Sequence, residues 1–184
     1  MLSALVIYTP IINSLLFSIS EVKMNSFENL HLNNQLCFAL YSATHAVTRS
    51  YREHLSEIGL TYPQYLVMLV LWQRQNQNVK DLAEKLNLDS SALTPLLQRL
   101  EKAGLITRER NNQDEQNNIV VSLTVLGSEI KQKTNQIQQQ VACETGLSEL
   151  EYIDLRDKLT SMMDNFKTKM QRPDAWLNKL PKDA

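Results

Sequence analysis

At 184 residues, the chain is long enough for one domain with a real core, or for a domain with helical extensions. Hydrophobic residues make up 43% of it, and only four glycines and five prolines interrupt them, which points to a mostly helical globular protein. Nineteen Lys and Arg against twenty Asp and Glu leave a formal net charge of −1, so no overall basic character announces a nucleic-acid partner and any DNA contact has to be local.

Two cysteines, Cys37 and Cys143, are too few for a disulfide scaffold and stand in no CxxC or Cys/His cluster. Three histidines (His31, His45, His54) are too few and too scattered to suggest a metal site, and no cofactor is expected. Residues 1–20 carry no charge and lack the early Lys or Arg of a secretory signal. Their length would just reach across a bilayer, but Pro10, Asn13 and four serines weaken that reading. Met24 then opens a polar stretch. The expectation is a start assigned too far upstream, with 1–23 a doubtful extension, Met24 the true start and no membrane contact.

From Asn33 to Ile58, apolar residues recur at Leu36, Leu40, Ala43, Val47, Tyr51 and Leu55, the spacing of one helix face. Asn33 or Asn34 is expected as the N-cap, and Gly59 ends the helix. Cys37 falls at its start, where free N–H groups and the positive end of the helix dipole favour a thiolate. A small buried hydrophobe is the bland alternative. Tyr41 and Tyr51 share the face of Cys37. Fourteen residues of helix rise about 21 Å, so in a straight helix Tyr51 cannot touch the Cys37 of its own chain. It could touch another subunit's Cys37 if the first helices pack antiparallel across a dimer. By spacing alone, core filling is the favoured account of the tyrosines.

Thr61-Tyr62-Pro63 starts a second helix, whose body from Tyr65 to Trp72 is apolar nearly all round and therefore central and buried. Gln73 to Asn78 reads as a polar linker. Val79–Leu86 is a short helix with Val79, Leu82, Ala83 and Leu86 inward, and Asn87-Leu88-Asp89 is a tight connection. Ser90–Ala103 is a second short helix with Leu93, Leu96, Leu97 and Leu100 inward, ending at Gly104. Two short helices across a three-residue turn fit a helix-turn-helix over about 79–103. Leu105–Arg108 and Ile119–Leu123 read as strands around the polar loop Asn111–Asn118, which makes a wing over about 105–123. Leu126–Cys143 is a long helix with a Gln-rich exposed face, for which Gly146 can serve as the residue after the cap. Ser148-Glu149-Leu150-Glu151 fits a capping box for a last helix running through Met170. The tail 171–184 is expected to be disordered. The fold class is mainly α with a small β-hairpin: a winged helix-turn-helix flanked by N- and C-terminal dimerisation helices, over about 24–170.

In such an architecture the second helix lies in the major groove. Its outward positions are Ser90, Ser91, Thr94, Gln98 and Arg99; Ser and Thr suit bases or phosphates, Gln suits adenine and Arg suits guanine or phosphate. Between Val79 and Arg110 there are six cations against five anions, so one chain offers few phosphate contacts and a two-fold dimer on a palindromic site would double them. A winged helix used only for protein contacts is the other reading.

Three blocks carry a resemblance: Asn34-Gln-Leu-Cys-Phe-Ala-Leu-Tyr-Ser-Ala43, Leu60-Thr-Tyr-Pro-Gln-Tyr-Leu-Val-Met-Leu-Val-Leu-Trp72 and Leu88-Asp-Ser-Ser-Ala-Leu-Thr-Pro-Leu-Leu-Gln-Arg-Leu100. The chain resembles the organic hydroperoxide resistance regulators of the MarR family from about Leu32 to Met170. The resemblance implies a cytoplasmic, dimeric winged-helix repressor, not an enzyme, whose partners are a double-stranded DNA operator, a second copy of the chain and an organic hydroperoxide as inducer. It makes Cys37 the peroxide-sensing thiol, hydrogen-bonded by Tyr51 and Tyr62 of the partner subunit, with Tyr41 near the pocket. It makes Cys143 a resolving cysteine of the two-cysteine type, forming an intersubunit disulfide with Cys37. The block from Asp89 to Lys102 matches the recognition helix, and Arg108 and Arg110 lead into the wing. The chain departs from the family pattern at Gln116, where the wing usually carries an arginine, so the wing's part in affinity is in doubt. A MarR-type repressor sensing a small aromatic ligand, with Cys37 inert, and a thiol peroxidase using both cysteines are the alternatives.

Overall fold

The computed structural model describes residues 30–110 and 119–170. The doubtful extension 1–23 with its start at Met24, the wing loop with Gln116 and the tail 171–184 all lie outside the described residues. The chain divides into two compact units, residues 1–44 and 45–184. In chain order the elements are α1 (Leu36–Ser56), α2 (Tyr62–Gln73), β1 (Gln77–Asn78), α3 (Val79–Leu86), α4 (Ser90–Lys102), β2 (Ile106–Arg110), β3 (Ile119–Leu123), α5 (Val125–Glu144) and α6 (Glu149–Met170).

In the first unit a 3-10 turn, Leu32–Asn34, leads into α1. Asn33 and Asn34 are therefore inside that turn and neither is the N-cap expected from sequence. The turn closes on itself, Asn34 N–H donating to the His31 carbonyl and Gln35 N–H to that of Leu32. The first α-helical bond then runs from Ala39 N–H to the Gln35 carbonyl.

In the second unit the expected face of α1 is buried at Tyr51 and Leu55, with Val47 packed on the core. Leu36 and Ala43, from the same apolar stripe but in the first unit, are exposed. Periodicity tells which residues share a stripe, whereas burial depends on a neighbouring element that periodicity does not specify. Helix α2 is buried nearly all round through Tyr65, Val67, Met68, Val70 and Leu71, as its unbroken apolar run requires. Its start is fixed locally: Gln64 Oε1 accepts from both the N–H and the hydroxyl of Thr61, and Pro63 occupies the first turn, where its missing N–H costs nothing.

The head that follows is built on α3, α4 and a three-stranded antiparallel sheet in the order β1-β3-β2. Asn78 caps α3, its Oδ1 accepting from Asp81 N–H at 2.7 Å. The turn between α3 and α4 needs a left-handed residue, which Asn87 supplies at φ 52°, so that Leu88 N–H can close back on the Ala83 carbonyl. Leu82, Leu93, Leu97, Leu100, Ile106 and Val121 interlock beneath them, all essentially without solvent exposure. Strand β1 lies within what the sequence presents as a polar linker. It is only two residues long and exists because Gln77 and Asn78 pair with Val121 and Val120 of β3. Strand β2 begins at Ile106 rather than Leu105. Leu105 instead completes the helix stop of α4: Gly104 takes φ 72°, and Leu105 N–H reaches the Leu100 carbonyl.

Helix α5 is seated on this head through its first turn. Thr124 Oγ1 accepts from Gly127 N–H at 3.0 Å and donates to the Gly104 carbonyl at 2.6 Å, while Trp72 Nε1 of α2 donates to the Gly127 carbonyl at 2.9 Å. Any Cβ at position 127 would overlap the Leu105 carbonyl, so only glycine lets α5 come this close. Helix α6 starts in the expected capping box, the Ser148 N–H and hydroxyl both donating to Glu151.

Candidate DNA-reading face and redox thiols

Helix α4 owes its orientation to Leu93, Leu97 and Leu100, buried at helical spacing on one side. The opposite side presents Ser90, Ser91, Thr94, Gln98 and Arg99, all exposed. Five candidates named from spacing alone thus share one solvent-facing surface. Two details modify that surface. The Thr94 hydroxyl donates to the Ser90 carbonyl at 2.8 Å, so its proton is already engaged within the helix. Pro95 removes the N–H that would have bonded the Ser91 carbonyl, leaving that acceptor on the exposed side.

The two wing arginines differ in circumstance. Arg108 is half-buried, and its guanidinium donates through Nε and Nη2 to one carboxylate oxygen of Glu101 at the end of α4. That hydrogen bond holds the Glu101 carboxyl below its ordinary range. Arg108 therefore braces β2 against α4, with part of its charge neutralised inside the chain. Arg110, at the end of β2 opposite Ile119, is exposed.

Cys37 and Tyr41 belong to the first unit, where both are exposed; Cys37 is the second residue of α1. Tyr51, Tyr62 and Cys143 belong to the second. There Tyr51 of α1 and Tyr62 of α2 pack with ring centroids 5.3 Å apart, and Tyr65 completes a triangle at 5.1 Å from Tyr51 and 6.1 Å from Tyr62. Burial raises the pKa values of all three phenols, strongly so for Tyr51, whose hydrogen bond with Tyr65 adds to the effect. Each therefore stays a protonated hydroxyl throughout the physiological range. By sequence pattern Tyr65 belongs only to the buried body of α2. Its position one helical turn after Tyr62 was the available signal that both rings meet the same neighbour. Tyr152 of α6, whose charge would oppose ionisation of all three, had no such signal.

Cys143 is exposed and is the penultimate residue of α5. Its neighbour Glu144 accepts from Ser50 Oγ at 2.5 Å and lies 2.9 Å from His54 Nε2, residues of α1 that the sequence did not mark. A cleft of about 290 Å³ opens between α2 and α5, lined among others by Tyr65, Leu69, Trp72, Lys131 and Asn135. Among the described residues no group of three or more His, Cys, Asp or Glu could hold a metal ion, and no helix is long and apolar enough to cross a membrane.

Comparison with known proteins gives a consistent picture. The MarR family profile matches residues 60–117. The chain is 38% identical over 148 residues to an organic hydroperoxide resistance transcriptional regulator of Bacillus subtilis, covering 80% of this chain and 98% of that protein. Among solved structures it is similar to reduced AbfR bound to DNA, with a TM-score of 0.65, 30% identity, and 78% and 97% of the two chains covered. It is also similar to disulfide-formed AbfR, at a TM-score of 0.54 and 29% identity over 79% and 96%. On the helix-turn-helix, the paired strands behind it and a match along nearly the whole of a curated relative, the chain belongs to the MarR family of DNA-binding transcriptional regulators.

Proposed function

We propose that this regulator is a dimeric repressor that senses organic hydroperoxides through Cys37 and releases its operator on oxidation. The observation that carries the reading is the placement of two exposed thiols at helix ends, Cys37 in the first turn of α1 and Cys143 in the last turn of α5. A sensing thiol needs access and a setting that tolerates negative charge, and a first helical turn supplies both. The names of the relatives point the same way: a hydroperoxide resistance regulator, and a protein known both reduced on DNA and with a disulfide formed.

The chemistry closes without a cofactor. The Cys37 thiolate attacks one peroxide oxygen, the O–O bond breaks, and the departing alkoxide takes a proton to become an alcohol. Cys37 is left as a sulfenic acid, two electrons oxidised. The Cys143 thiolate of the other subunit then attacks that sulfur and displaces hydroxide, which leaves as water once protonated. Tyr51 and Tyr62 of the partner subunit donate hydrogen bonds to the Cys37 thiolate, with Tyr41 near the pocket and Phe38 and Leu66 supplying apolar lining. Oxidation breaks those bonds, and disulfide formation pulls α5 out of place. Because α5 is fixed to the head by Gly127 and Thr124, its displacement moves the reading helices. Reductants restore the thiols.

On the operator, Ser90, Ser91, Thr94, Gln98 and Arg99 face the major groove and Arg108 and Arg110 carry the wing. The dimer is supported by apolar residues left exposed on the terminal helices, Leu36 on α1 and Leu150, Leu155 and Phe166 on α6. The regulated gene is expected to encode a hydroperoxide-detoxifying protein, and the DNA partner places the protein in the cytoplasm. The test is an operator gel shift with and without cumene hydroperoxide, read beside a non-reducing gel. Wild type should lose the shifted band as a cross-linked dimer appears, and Cys37→Ser should do neither. A Cys37→Ser protein that still releases DNA on oxidation ends the proposal.

A second reading has its own observation, the α2–α5 cleft with its aromatic walls and Lys131. It suits a small aromatic anion, and release of operator by such a ligand from Cys37→Ser protein would favour it.

A further inference from the structure

The C-terminal end of α5 is fastened to α1 by a three-residue clasp. Ser50 and His54 stand one helical turn apart on α1 and meet the two carboxylate oxygens of Glu144 separately, at 2.5 and 2.9 Å. Glu144 is the last residue of α5, where unpaired carbonyls and the negative end of the helix dipole make a carboxylate locally unfavourable. Its presence there is explained by the tertiary partners. The Ser50 hydrogen bond first, and the His54 hydrogen bond second, hold its carboxyl below the ordinary range. Immediately before Glu144 stands Cys143; immediately after it the chain turns through Thr145 and Gly146, the latter at φ 70°, towards α6. The clasp is thus the final side-chain attachment of α5 before the turn, and it adjoins the thiol.

We propose that the Ser50–His54–Glu144 clasp controls how readily Cys143 leaves its reduced position, and so sets the rate of disulfide formation after Cys37 is oxidised. The proposal rests on the redox reading above. The first step takes place between Cys37 and the hydroperoxide and requires no travel of Cys143, so the clasp does not retard it. In the second step the Cys143 thiolate has to approach the sulfenic sulfur in line, opposite the departing hydroxide, and the end of α5 has to travel with it. That motion ruptures the bonds to Glu144, so the clasp lengthens the life of the sulfenic acid. Ser50, His54 and Glu144 are positioning residues acting through Cys143.

The test uses the full-length protein and cumene hydroperoxide, following sulfenic acid by dimedone adduct and disulfide by quenched non-reducing gels. Glu144→Ala should form sulfenic acid at the wild-type rate but cross-link about fivefold faster, the rate equivalent of one net hydrogen bond. Hydrogen exchange in the last turn of α5 should also quicken in the reduced variant. Ser50→Ala, which leaves α5 unaltered, should move in the same direction, and His54→Gln, which keeps an N–H donor, should stay near wild type. Equal cross-linking rates in wild type and both clasp-breaking variants overturn the proposal while leaving the redox reading standing. Absence of any wild-type cross-link overturns both.

Discussion

At the scale of single residues, what decides function is whether a polar group is already engaged. Tyr51, Tyr62 and Tyr65 lose solvent to one another, and burial favours the neutral phenol. Their folded-state pKa values are raised, so the stability they contribute is fully present below the ordinary tyrosine pKa of about 10 and is lost as pH rises beyond it. An ultraviolet pH titration should show the triad ionising only as circular dichroism reports unfolding. Arg108 and Arg110 make the complementary point. Both follow α4 and both are cationic, yet Arg108 is bonded to Glu101 while Arg110 is exposed. Arg110→Ala should weaken operator binding and leave the melting temperature unchanged. Arg108→Ala should lower both, because it releases β2 from α4; calorimetry beside a gel shift separates the two.

At the scale of elements, the critical joint is the entry to α5. Gly127 touches the Leu105 backbone and receives Trp72, while Thr124 bridges to Gly104. Gly127→Ala should cost about 1–3 kcal/mol through overpacking against an immovable carbonyl, read as a lowered urea midpoint. In the head core, Leu97→Ala should cost about 2–5 kcal/mol, since Leu97 is fully enclosed between α4 and its neighbours. Helices α3 and α4 and their turn were legible in the sequence because each signal is local: Leu82, Ala83 and Leu86, then Leu93, Leu97 and Leu100, at helical spacing, with the short Asn87-Leu88-Asp89 connection between them. Strand β1 was illegible because nothing in Gln77-Asn78 itself favours extension; the pairing with β3 does.

For the whole molecule, electrostatics limits what DNA binding can look like. Between Val79 and Arg110 six cations stand against five anions, and Arg108 is partly neutralised internally. Affinity should therefore fall with salt less steeply than for a basic repressor. Removing Arg99 from both subunits should reduce the slope of log affinity against log salt by about two, if each Arg99 neutralises one phosphate. A slope unchanged in Arg99→Ala would show that this side chain reads bases or nothing.

The sequence by itself determined the order of the helices and of the two hairpin strands, the winged helix-turn-helix, the outward face of α4 and the two thiols at helix ends. These follow from periodicity, caps and helix stops, all of which act within a few residues. Only the tertiary structure decided that Tyr65 joins Tyr51 and Tyr62, that Arg108 is spent on Glu101, and that Glu144 is held by Ser50 and His54. Those contacts link positions far apart in the chain, and their partners were chosen by packing, which no local pattern of residue types encodes.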